Sequence, residues 1–108
     1  MLLLYESMTT DTRLSQLNIW LKQLADKLSL NTASIAPASS DASFRRYFRV
    51  LSTSGDSFIV MDAPPSHEDT RPFIHIAKLM AQSGLNTPLI LEENISEGFL
   101  LQIGRAHV

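Results

Sequence analysis

Leucine recurs at Leu14, Leu17, Leu21, Leu24 and Leu28, at spacings of three and four residues, with Trp20 beside them. That period puts the five side chains on one stripe of a helix. Thr9, Thr10 and Asp11 precede the stripe with side chains able to accept from the free N–H groups of a first turn, so the spacing predicts an amphipathic helix over 12–28 with its leucines turned to a core. The period then fails. "SLNTASIAPASSDAS" mixes small and polar residues with Asn31 and Pro37 and reads as a linker holding one short strand near 34–38.

Two segments of strand character follow, "RRYFRVL" (45–51) and "SFIVMD" (57–62), on either side of "STSGD". Gly55 and Asp56 in that gap suit a hairpin connection. With Leu51 opposite Ser57, Val50 meets Phe58, Phe48 meets Val60 and Arg46 meets Asp62. Apolar then faces apolar and opposite charges meet, so the register supports itself. "APPSHEDTRP" is a proline-rich loop. Beyond it Thr70 is a candidate cap, Pro72 suits a first turn, and Phe73, Ile76, Ala77 and Met80 form an apolar stripe before Gly84, which predicts a helix over 71–83. "TPLILEEN" and "EGFLLQI" read as two more strands around a turn at 94–98. The expected class is α+β: a small antiparallel sheet with one packed helix, preceded by an amphipathic helix.

Composition narrows the function classes. A chain of 108 residues holds one modest core. Its 44% hydrophobic and 19% charged content is ordinary for a globular protein, and a net charge of −2 supplies no field for broad nucleic-acid or membrane attraction. Absence of cysteine removes disulfides, thiolate zinc sites and cysteine nucleophiles. "MLLLYES" has too short an apolar run and no basic segment ahead of it to be a targeting signal. Residues 1–9 are therefore expected to be a disordered or upstream leader, with Met8 a plausible start. No window approaches the roughly 18 apolar residues of a membrane span, and a cytoplasmic location is expected.

The segment that asks for a function is "PASSDASFRRYFRV", where small and polar residues give way to three aromatics and three arginines. "SSDASFRRYFRV", "IVMDAPP", "EDTRPFIHIAKLMAQSGLNTPLIL" and "GFLL" together resemble the aminoglycoside phosphotransferase-like family, and within it the amino-sugar kinases that phosphorylate N-acetylmuramate or N-acetylglucosamine at the anomeric position in cell-wall recycling. The resemblance covers about residues 11–101 and implies the N-terminal lobe of a protein-kinase-like fold, with ATP and Mg as cofactors and an amino sugar as substrate. It also implies that the catalytic base, the metal ligands and the sugar pocket belong to a C-terminal lobe beyond residue 101. The domain reading is accordingly a truncated lobe over 10–101.

The resemblance also assigns site residues. In kinases a glycine-rich loop lets backbone N–H groups approach the ATP phosphates, and a valine beyond it packs on adenine. Here Asp41, Ser43, Arg46 and Phe48 fall at those positions, none of them glycine. Ser40, Asp41, Ala42, Ser43 and Phe44 become the candidate phosphate loop, with Phe48 and Val60 facing adenine. Where the family at large has a strand lysine, this chain has Asp62; with Arg46 across from it, the cation is expected one strand over, oriented by Asp62. The plain alternative is a structural ion pair.

Glu68, the nearest acidic residue to the next helix, has no lysine to meet and reads as a solvated cap. His67 and His75 lack metal-ligand spacing and read as surface histidines; Glu92, Glu93 and Glu97 read as a solvated acidic turn. Residues 102–108, "QIGRAHV", can be spelled CAG ATC GGA AGA GCA CAC GTC, which matches a common sequencing-library adapter from its second base onward, and a non-native tail is expected. Two other classes remain: a single-strand nucleic-acid module stacking bases on "FRRYFR", and an interaction domain built on the leucine helix.

Overall fold

The computed structural model describes residues 11–40, 44–85 and 87–103. Helix α1 runs Thr12–Leu28, as its leucine period requires. Asp11 caps it by accepting from the Leu14 N–H at 3.0 Å, and the chain leaves it through Ser29 in the left-handed region, where the Ser29 N–H donates to the Ala25 carbonyl.

Strand β1, Leu30–Ser40, is longer than the expected short strand near 34–38. It lies at one edge of the sheet, pairs antiparallel with β2 (Arg46–Ser52), and absorbs its irregular sequence in register shifts between Asn31 and Ala36 and between Pro37 and Ser39. An edge position explains how Pro37, which has no N–H to donate, fits in a strand at all. Strand β3, Ser57–Asp62, closes the hairpin with β2 in the expected register: Leu51 pairs with Ser57, Val50 with Phe58, Phe48 with Val60 and Arg46 with Asp62.

Helix α2 runs Arg71–Gln82, and β4 (Leu89–Asn94) and β5 (Phe99–Ile103) complete a five-stranded antiparallel sheet in the order β1-β2-β3-β5-β4. Gln102 and Ile103, expected to open a tail, here continue β5 opposite Ile59 and Leu89; residues 104–108 and the leader 1–9 lie outside the described residues. In the turn before β5, Gly98 has φ +78, and a Cβ there would collide with the Ala63 carbonyl. Close approach of two backbones is what this glycine permits.

Side-chain alternation splits the sheet into two faces. One carries Phe48, Val50, Phe58, Val60, Phe99 and Leu101, and α1 seals it with Leu17, Trp20 and Leu21. Side chains buried this fully contribute roughly 1.5–3 kcal/mol each. The other face carries Met61 and Leu100, on which α2 places Ile74, with Ala63 from the loop and Tyr47, Phe73 and Ile90 at the margin.

Candidate functional site

Arg46 and Asp62 share the parity of Phe48 and Val60, so both point to the α1 face. Asp62 is 1% exposed. One of its oxygens, Oδ1, accepts from Arg13 Nε at 2.9 Å and from Arg13 Nη2. Oδ2 accepts from Arg46 Nε at 3.1 Å and Nη2 at 2.9 Å. Arg46 also spans to the helix cap, donating Nη1 and Nη2 to the two oxygens of Asp11 at 3.1 and 3.0 Å. Arg13 donates in addition to the Glu97 carbonyl at 2.7 Å and lies 4.7 Å over the Phe99 ring.

A buried carboxylate is tolerable only when its charge and lone pairs are met, and two guanidinium forks meet both here. The result pins the start of α1 to β2, β3 and the β4–β5 turn. Hydrogen bonds from Arg46 hold the Asp11 carboxyl below its ordinary value, and Asp11 in turn raises the Arg46 pKa.

This geometry changes three of the expected assignments. Phe48 and Val60, expected to face adenine, are 5% and 0% exposed within the core under α1. Asp62 is expected at the position of the kinase lysine, but a lysine that meets a helix glutamate must point to the helix face, and Asp62 points instead to the α1 face, into the forks of Arg13 and Arg46. Arg46, expected to be the displaced nucleotide cation, has its fork committed to Asp62 and Asp11. Of the candidate loop, Ser40 pairs through its backbone with Arg46 at the end of β1. Asp41, Ala42 and Ser43 lie outside the described residues.

The α2 face carries a different cation. Arg45, one residue out of phase with Arg46, donates Nε to Glu68 Oε1 at 2.8 Å and Nη2 to Oε2 at 3.0 Å. Its guanidinium sits 5.1 Å over the Phe73 ring on α2. Glu68 therefore has a cation to meet, contrary to the expected solvated cap, and it raises the Arg45 pKa. Beside this bridge the exposed Phe44 stacks on His67 at 3.6 Å between centroids and 11° between planes.

Thr70 does not cap α2 through its side chain; Asp69 accepts the Arg71 N–H instead, at 3.0 Å, and Arg71 holds the Asp69 carboxyl at about 2. The acidic residues near the β4–β5 turn are also engaged, Lys27 with Glu92 at 2.6 Å and Lys78 with Glu93 at 3.6 Å.

Past Phe73 the α2 face is open. Ile76, Leu79 and Met80 are 54%, 48% and 39% exposed, and a hollow of about 310 Å³ lies between Phe73, Ile76, Met80, Pro88 and Ile90. Among the described residues no three acidic or histidine side chains converge to hold a metal ion, and no helix is long and apolar enough to cross a membrane.

The sheet with α2 on one face and the ordered match of the quoted segments point to one family, and a family model described as "Phosphotransferase enzyme family" matches residues 34–106. The chain belongs to this phosphotransferase family. It is 47% identical over 102 residues to an N-acetylmuramate/N-acetylglucosamine kinase of Pseudomonas aeruginosa, covering 87% of this chain and 30% of that protein. Proteins of the same name from Pseudomonas putida and Neisseria meningitidis are 45% and 38% identical, over 84% and 59% of this chain and 29% and 19% of their own lengths. The chain thus spans under a third of these relatives, and its architecture is a kinase-like N-terminal lobe of class α+β.

Two residues of consequence to this phosphotransferase lobe escaped the reading of its sequence. Arg13 lies off the leucine stripe and was legible only as a surface position. Arg45 had a signal: the hairpin register separates 45 and 47 from 46 and 48, although it does not say which of the two faces α2 covers.

Proposed function

We propose that this chain is the nucleotide-binding lobe of an ATP-dependent amino-sugar phosphotransferase, incomplete for catalysis by itself. The observation that carries the reading is the half-covered α2 face, apolar and open beside a guanidinium held by Glu68, in a member of a phosphotransferase family whose relatives are named amino-sugar kinases. A second lobe closing on that face fits an exposed stripe of Ile76, Leu79 and Met80 better than open water does.

On this reading Ser40, Asp41, Ala42, Ser43 and Phe44 remain the loop over the phosphates, small enough for close backbone approach. Arg45 is the cation on their side of the sheet, and Arg46, Phe48, Val60 and Asp62 build the lobe instead of touching the ligand. Bound ATP would supply the phosphoryl group; the part played by this chain is to hold and orient it. Mg ligands and the base for the sugar hydroxyl are assigned to residues outside this chain. The nucleic-acid alternative loses support, since Phe48 is buried and Tyr47 packs beside Met61, leaving no exposed row of aromatics on β2.

The test is a coupled ADP-release assay with N-acetylmuramate, N-acetylglucosamine and an aminoglycoside. The complete gene product should release ADP with the first two, and the 108 residues alone with none. ADP release by the isolated chain that depends on sugar would refute the incomplete-lobe reading; a complete product inert toward all three acceptors would refute the phosphotransferase reading.

A further inference from the structure

Helix α2 is loosely held. It buries only Ile74, whereas α1 buries Leu17, Trp20 and Leu21. Its first turn has no acidic residue, and the Thr70 side chain forms no cap bond. Few contacts therefore decide where α2 sits, and two of them come from consecutive residues of one segment gripping consecutive residues of another: Phe44 on His67, and Arg45 on Glu68.

We infer that these two contacts form one clamp, which fixes α2 and its preceding loop against the start of β2, with Glu68 as the positioning residue for Arg45 on the nucleotide face. The inference rests on the phosphotransferase reading above. The bond between Arg45 and Glu68 is a two-pronged, charge-assisted pair, which specifies orientation as well as proximity. Both side chains are only about a quarter exposed, at 26% and 25%, so it is less screened than a surface pair. Phe73 lies beneath the guanidinium and also forms a wall of the apolar hollow. A shift of α2 therefore moves the pair and the hollow together. Elsewhere in this fold a strand lysine and a helix glutamate couple sheet to helix; here the coupling runs from the start of β2 to the loop before α2.

The test uses the complete gene product and three variants, Glu68→Gln, Arg45→Gln and the conservative Glu68→Asp. Glu68→Gln and Arg45→Gln should each raise the KM for ATP about tenfold, while the KM for the amino sugar stays close to wild type. Glu68→Asp, which keeps a carboxylate for Arg45, should show no more than half of that loss on a logarithmic scale. A wild-type KM for ATP in both glutamine variants, equal losses for ATP and sugar, or a Glu68→Asp variant no better than Glu68→Gln would each overturn the clamp.

A wild-type protein inert toward every sugar would instead strike the phosphotransferase reading. The clamp is then judged in the unliganded protein by the ring resonances of His67. Stacking on Phe44 should shift them upfield, and both Phe44→Ala and Glu68→Gln should abolish the shift. Unshifted resonances in the wild type, or a shift that survives Glu68→Gln, would overturn it.

Discussion

The two faces of the sheet are built from the same alternating strands and meet opposite fates. Under α1 the apolar side chains Phe48, Val50, Phe58, Val60, Phe99 and Leu101 are enclosed, and the polar edge is closed by a chain of alternating charges, Asp11, Arg46, Asp62 and Arg13. Under α2 a single helix residue is buried, Phe73 is half-buried, and Ile76, Leu79 and Met80 face water. Charge is spent differently too: the α1 face uses its carboxylate fully buried, whereas Arg45 and Glu68 are only partly sheltered. The closed face holds the lobe together; the open one leaves an apolar stripe and a hollow uncovered, and on the proposed function this is the face that binds.

The sharpest way to break this comparison is to place a lysine at position 62, where the resemblance led one to be expected. Asp62→Lys buries an ammonium against two guanidiniums and removes the acceptor of both forks. Loss of one partner from a buried pair costs about 3–5 kcal/mol, so the variant should be unfolded or nearly so, read as loss of the cooperative thermal transition. Improved ATP turnover in that variant would mean that Asp62 faces the nucleotide.

Next in size, Leu21→Ala on the closed face should cost about 3 kcal/mol, because it removes transfer energy and leaves a cavity. Ile76→Ser on the open face should change the stability of the 108-residue chain by no more than about 0.5 kcal/mol. It should also make that chain less prone to aggregate, since it interrupts the apolar stripe. Denaturant melts of the pair, with light scattering for the second, measure the contrast. Equal destabilisation by the two substitutions would mean that both faces are cores.

What was legible in the sequence follows from which interactions are local. Helix α1 is written in a repeating leucine period and its own cap, and the β2–β3 hairpin in a register that pairs apolar with apolar and Arg46 with Asp62, so both were readable in advance. β1 was underestimated because Asn31, Pro37 and its serines give no alternation; its pairing is supplied by β2 and tolerated at an edge. The site was misread at Phe48, Val60 and Glu68 for a different reason. Parity along a strand says which residues share a face, but which helix covers that face is decided by contacts distant in sequence, such as Arg13 with Asp62 and Arg45 with Glu68.

The smallest predicted effect concerns the outer end of the charge chain on the closed face. Asp11 both caps α1 and accepts from Arg46, and Arg46 is the main cause of its lowered pKa, with burial opposing and the Leu14 N–H assisting. Asp11→Asn keeps an acceptor suited to the cap while removing the charge, so it isolates the ionic part. The side chain is about a third exposed, at 36%, which limits that part to about 0.5 kcal/mol after solvent screening. Its sign in pH follows from linkage: the folded protein holds the carboxylate below the ordinary 3.8, so the stabilisation is complete above the unfolded pKa and is lost as pH falls through the folded one. Wild type should therefore exceed Asp11→Asn in denaturant melts at neutral pH, and the gap should narrow steadily below about pH 4 and shrink with added salt. Equal stability of the two at neutral pH would show that Asp11 acts only as a helix cap, and that the charge chain on the closed face begins at Arg46.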